Sequence, residues 1–312
     1  MGFLLFSGTA NLALAGAIAD SAGIPLGRAE IETFPDGELH VTVAESVRGR
    51  DVYLLQPTPA PAERHIFELL LLADACRRGG AERVTGVLPY VGYARQDRRT
   101  APGEAPAARV MADVLATGRF HRLVAIDLHS AALEGFFPIP LEHLSAVPVL
   151  VQALRERGVR PGVVVAPDLG AAKLAERYAG LLELPVAIVH KTRLSGAEVR
   201  VRQISGAVRG LAPLIVDDMI STGGTISAAV AALRDAGSES EIIVAATHAL
   251  LVGPARERLA QASLASLFVT DSVLGGRVPG LPLHCVSVAP LLAQVLTRLH
   301  DDTPLEGFSI TD

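Results

Sequence analysis

The chain has 312 residues, of which half are hydrophobic, 20% charged and only 4% aromatic; this suits two packed domains of roughly 150 residues each and excludes a disordered chain. A net charge of -5 excludes a field that draws nucleic acid or an anionic membrane surface, so an anionic ligand has to be captured by a local site. No run of about 18 uninterrupted apolar residues supports a membrane span, and Cys76 and Cys285 lie outside any CxxC or metal-ligand spacing, which points to reduced thiols in a cytoplasmic protein.

The apolar opening, residues 1–19, has no Lys or Arg before Arg28 and is broken by Asn11. It reads as strand, turn and helix rather than as a signal segment. Phe34-Pro35-Asp36-Gly37-Glu38 has the composition of a hairpin turn, and its two carboxylates can also accept from an amino group or orient an arginine. A strand over 52–55, a helix over 66–78 closed by Gly79-Gly80, and a strand over 84–88 then set a βαβ rhythm. Directly after it, the stretch from Tyr90 to Arg99 gathers Arg95, Arg98 and Arg99 with Tyr90 and Tyr93. That is the carboxyl end of a predicted strand, where α/β sheets present ligands, and a triphosphate with a purine ring fits such a group. Residues 100–106, with one glycine and two prolines, form an exposed loop that either closes over this site or merely connects it to a helix.

A further strand over 123–128 leads to a proline-rich junction near 138–148, which places the domain boundary between 1–144 and 145–312. The second half repeats the rhythm: strands over 163–166, 186–189, 214–216 and 242–246, with helices over 171–182 and after Thr225. Unalternated apolar strands separated by helices imply an α/β fold with mostly parallel sheets covered on both faces. No short-period repeat is present, which excludes a solenoid.

The most informative segment is the apolar run 214–216 followed by Asp217-Asp218, then Ser221-Thr222-Gly223-Gly224-Thr225 and a helix. The glycines let backbone N–H groups converge on a phosphate, the hydroxyls add donors, and the helix contributes its positive end. Carboxylates beside such a cradle match the vicinal hydroxyls of a ribose, so a sugar phosphate is the ligand this chemistry favours. A capped strand-to-helix turn is the plain alternative, which the preceding acidic pair weighs against.

This segment resembles the phosphoribosyl diphosphate loop shared by phosphoribosyltransferases and ribose-phosphate diphosphokinases. The first half separates the two. FPDGE, SVRGRDVYLLQPT, PYVGYARQDRR, DLHS with EGFFPIP, APDLG, KTRLSG and VDDMISTGGT follow one another in the order of the diphosphokinase family, which the chain resembles over residues 3–300. The resemblance implies two phosphoribosyltransferase-like domains and transfer of the β,γ-diphosphoryl group of Mg-ATP to the C1 hydroxyl of ribose 5-phosphate. It makes Asp36, Gly37, Glu38, Arg95 and Gln96 the ATP site, with the DGE turn reaching across a subunit contact and Asp97 supporting Arg95. It makes His129 and Asp168 a magnesium-linked pair, with Asp127 as the weaker candidate, and Lys191 and Arg193 the catalytic cations. Asp217, Asp218 and residues 221–225 then hold ribose 5-phosphate. A homo-oligomer is implied, with dimer and hexamer both open.

Ala101 and Gly103 stand where phosphate-activated members carry lid arginines, Ser221 replaces an aspartate, and KTRLSG replaces a more arginine- and proline-rich run. These features look more like the archaeal-type branch. A non-catalytic regulatory homologue and a base phosphoribosyltransferase are the rival classes; the first is disfavoured because Lys191, Arg193 and His129 are all present, the second because it needs only the second half.

Overall fold

The computed structural model describes residues 2–193, 199–273 and 278–310, and the side chains of these except between 191 and 202. Contacts divide the chain into two units, Met1–Ser145 with Ser287–Asp312, and Ala146–Val286. The first unit runs β1 (Leu4–Ser7), α1 (Leu12–Ala22), β2 (Ala29–Thr33), β3 (Leu39–Val43), β4 (Asp51–Leu55), α2 (Ala62–Arg78), β5 (Arg83–Leu88), α3 (Ala107–Ala116), β6 (Arg122–Ile126) and β7 (Leu141–Leu144). Its five-stranded sheet has the order β1-β4-β5-β6-β7, parallel throughout. β4 is buried along its whole length, as its apolar run requires. β2 and β3 form a separate antiparallel hairpin. The opening segment is strand, turn and helix as expected: Asn11 accepts from the Leu14 N–H at 3.1 Å to cap α1, and Gly23, with φ at 67°, ends it.

The second unit continues with α4 (Val147–Glu156), β8 (Val163–Ala166), α5 (Ala172–Leu182), β9 (Val186–Arg193), β10 (Val199–Ser205), β11 (Pro213–Ile220), α6 (Gly224–Asp235), β12 (Ile243–Ala249), α7 (Ala255–Gln261), β13 (Ser266–Thr270) and β14 (Leu283–Val286). The seven strands lie in the order β10-β9-β8-β11-β12-β13-β14, with only the edge strand β10 antiparallel. Successive residues face opposite sides. Val165, Ile215 and Val244 therefore build one core under α6, while Val164, Leu214 and Ile243 build another under α4 and α5.

The boundary expected after residue 144 falls beside the division at Ser145 and Ala146. The tail does not follow the expected assignment of 145–312 to one domain: α8 (Ala289–His300) packs on α1 and belongs with the first unit. An amphipathic helix shows which of its faces is buried, not which sheet buries it. No helix among the described residues is long and apolar enough to cross a membrane.

Candidate active site

In the second unit the order reverses at β8, since β9 lies on one side of it and β11 on the other. Such a switch point opens a crevice outside the carboxyl ends of the strands, and the second-half candidates gather there. Asp168 follows β8 directly, and its Oδ1 accepts from the Gly170 N–H at 3.0 Å, starting the short helical turn before α5. Asp217 and Asp218 lie inside β11, which extends four residues beyond the strand read from its apolar core. Strand pairing carries them past the apolar run: Asp217 still pairs with Ala246 of β12.

Asp217 keeps part of its surface open yet lies deep among packed atoms, and that burial pushes its carboxyl well above the usual range. The charges of Asp218 and Asp168 push it further the same way. Three carboxylates thus crowd one edge of the sheet, where a cation or a hydrogen-bond donor would relieve them.

Beyond Ile220 the chain turns through Ser221 and Thr222 into Gly223, whose φ of 72° suits a residue without a Cβ. A Cβ there meets the Ala255 carbonyl at 3.3 Å. Gly223 caps α6 without a side-chain acceptor, so the first amides of the helix face outward with the positive end of its dipole. Arg258 holds the loop from behind through the Thr222 carbonyl at 3.2 Å. The backbone of Lys191 and Arg193 ends β9 at the same edge; their side chains lie outside the described residues.

In the first unit the arginine-rich segment follows β5. Gly92 donates to Thr58 Oγ1 at 2.7 Å, and a Cβ at Gly92 meets the Thr58 carbonyl at 2.5 Å, so only glycine fits this stitch to the end of β4. Arg95 and Gln96 are exposed. Asp97 pairs with its neighbour Arg98 at 3.2 Å, and among the described residues no ion pair joins it to Arg95. Asp36, Gly37 and Glu38 sit at the exposed tip of the β2–β3 hairpin, where Asp36 accepts from the Glu38 N–H at 3.1 Å and Gly37 takes φ of 95°. Among the described residues no hydrogen bond or ion pair joins that turn to Arg95 or Gln96. Asp127 is buried at the end of β6 and accepts from Ser145 Oγ at 3.0 Å, whereas His129 is exposed.

Sequence reading carried Thr58 and Glu134 inside quoted motifs without giving them a role, and it missed Ser145 and His143 altogether. The last two lie on and just after β7, away from the motif they support, so no local spacing marks them.

The chain belongs to the ribose-phosphate pyrophosphokinase family. The model for the N-terminal domain of ribose phosphate pyrophosphokinase matches residues 3–118, and the phosphoribosyl transferase domain model matches residues 147–268. A ribose-phosphate pyrophosphokinase of Clostridium perfringens is 38% identical over 97% of this chain and 96% of its own length. One from Gloeobacter violaceus is 41% identical over 97% and 92%. The crystal structure of phosphoribosylpyrophosphate synthetase from Mycobacterium smegmatis superposes with a TM-score of 0.89 at 37% identity, covering 97% of this chain and all of that one.

Proposed function

We propose that the chain transfers the β,γ-diphosphoryl group of Mg-ATP to the C1 hydroxyl of ribose 5-phosphate, yielding 5-phosphoribosyl 1-diphosphate and AMP. One observation carries the reading: an anion-cradling loop and a crowded carboxylate cluster share the switch-point edge of the second sheet, in a chain related end to end to ribose-phosphate pyrophosphokinases. The loop from Ser221 to Thr225 takes the 5-phosphate through backbone amides and hydroxyls, and Asp217 and Asp218 take the ribose hydroxyls. Arg95, Gln96 and Asp97 take ATP together with the Asp36-Gly37-Glu38 turn. That turn is exposed and has no described contact with Arg95, which supports its serving the site of a second copy in a homo-oligomer.

The hydroxyl oxygen attacks the β-phosphorus in line, the bond from that phosphorus to the bridging oxygen of AMP breaks, and the hydroxyl proton passes to solvent. No covalent enzyme intermediate is needed, so the protein contributes position and positive charge. Lys191 and Arg193 supply the charge over the transferring group.

Asp168 in the second unit, and His129 with the less direct, hydrogen-bonded Asp127 in the first, are the residues that the family resemblance offers to Mg²⁺, which would neutralise phosphate charge when bound. The repulsion among Asp168, Asp217 and Asp218 fits a dication at this edge.

Phosphorus NMR of the protein with ATP, ribose 5-phosphate and Mg²⁺ tests the reading. AMP and the diphosphate resonances of the product are expected. ADP, or no turnover, overturns it; turnover only when a base and the diphosphate are supplied identifies a phosphoribosyltransferase instead.

A further inference from the structure

At the end of β6 the chain leaves the sheet through Asp127, whose φ of 38° is unfavourable for a residue with a Cβ. Asp127 still completes the ladder, donating its N–H to the Leu144 carbonyl at 3.0 Å. The next amide, that of buried Leu128, has passed the last ladder position and donates instead to Nε2 of His143 at 2.8 Å. The other ring nitrogen, Nδ1, lies 2.7 Å from Glu134 Oε1. Because Nε2 accepts, the neutral ring carries its proton on Nδ1 and donates it to Glu134.

We infer that His143 is a positioning residue for the reaction: with Glu134 fixing its tautomer, it satisfies the Leu128 amide and so holds the 127–129 turn in the shape that presents His129. The inference rests on the function proposed above, which gives His129 its importance. His143 and Ser145 grip the turn from β7 and the residue after it, one through Leu128 and the other through the Asp127 carboxylate. With both ring nitrogens in directed bonds, the ring's orientation is fixed and the Leu128 amide has a set acceptor.

The test compares whole-chain variants His143→Leu and His143→Gln by amide exchange across residues 123–133 and by kcat and KM. Leucine keeps the packing and removes the acceptor. It is expected to speed exchange at Leu128 and to lower kcat by about 10- to 100-fold, the usual loss when a residue that orients a metal-linked group is removed. Glutamine, whose amide accepts from Leu128 and donates to Glu134, is expected to recover most of both. A folded leucine variant with native kcat, or native exchange at Leu128, overturns the inference. Should the leucine variant not fold, Glu134→Ala gives the same two readings: faster exchange with lower kcat supports the role, and native exchange overturns it. Wild-type protein that forms no AMP refutes the functional reading instead, and the exchange comparison still decides the local claim.

Discussion

The proposed function makes Asp217 a carboxylate kept for binding at the expense of the fold. Its ionisation is opposed by burial and by Asp218 and Asp168, so its carboxyl is raised above the ordinary range. A raised carboxyl adds most to stability while protonated, below its unfolded value, and that contribution is lost as pH rises through the folded value. Asp217→Asn is therefore expected to melt higher than wild type at neutral pH, with the difference shrinking in acid. The same change removes a charged acceptor for ribose hydroxyls, a loss of about 1.5–3 kcal/mol, or roughly 10- to 100-fold in KM for ribose 5-phosphate. Wild-type KM for that substrate should fall as pH rises and Asp217 ionises. Melting curves and KM against pH check both halves, and a variant that neither gains stability nor loses affinity contradicts the assignment. The acidic pair and its loop were legible in the sequence because strand, carboxylates and glycines are contiguous. The partners that shape them were not: Asp168 is 49 positions upstream of Asp217 in the chain, and only the β8–β11 pairing brings them together.

At the scale of elements, periodicity located most of what positions the site. The strands over 52–55, 84–88 and 163–166 and the helices at α2, α5 and α6 stand where their apolar patterns put them. Edges were harder. β10 alternates valine with arginine instead of carrying an unbroken apolar run, and it becomes legible as an edge strand only once its antiparallel pairing with β9 is known. β11 outruns its hydrophobic run because backbone pairing, not side-chain character, continues through Asp217 to Ile220. The loop between Arg99 and α3 has internal order that composition did not reveal. Glu104 Oε2 accepts from Thr100 Oγ1 at 2.6 Å, the Thr100 N–H at 2.7 Å and the Ala101 N–H at 2.9 Å. The Thr100 hydroxyl bond, followed by the two amide bonds, holds the Glu104 carboxyl below its usual range. That staple is thus intact at neutral pH and is lost only as pH falls through the lowered value. Glu104→Ala is expected to accelerate amide exchange over residues 100–106 and to raise KM for ATP, while Glu104→Gln, which keeps an acceptor oxygen, stays nearer to wild type. Exchange unchanged in the alanine variant would show that Gly103 and the flanking prolines order the loop unaided.

Across the whole molecule, the first unit is finished by residues that come last. α8 lies against α1, and the residues after it return to β7: Ser309 bridges Leu144, and the Ser145 N–H donates to the Phe308 carbonyl at 3.1 Å. A polar clasp fixes the end of α8 to the amino ends of β4 and β5. Oδ2 of buried Asp51 accepts from Arg83 at 2.7 Å, from Tyr53 Oη at 3.2 Å and from His300 Nδ1 at 3.0 Å, and Arg83 also reaches Asp302 at 2.9 Å. Burial, with the Asp51 charge beside it, pushes the Tyr53 phenol far up, so it stays a donor throughout the physiological range. Removing one member of a buried charge cluster costs more than the cluster contributes, because the remaining groups stay desolvated without a partner. Asp51→Ala leaves Arg83 with the exposed Asp302 and the His300 carbonyl at 3.3 Å, and removes the carboxylate that Tyr53 Oη and His300 Nδ1 share. The expected loss is about 3 kcal/mol, which for a unit of this size lowers the melting transition by roughly 6–12 °C in calorimetry. Ribose 5-phosphate affinity should be retained, since its loop is built entirely on the second unit. A native melting temperature would mean that the apolar contact of α8 with α1 closes the first unit without the clasp, and loss of sugar phosphate binding would mean that the second unit's loop depends on how the first is closed.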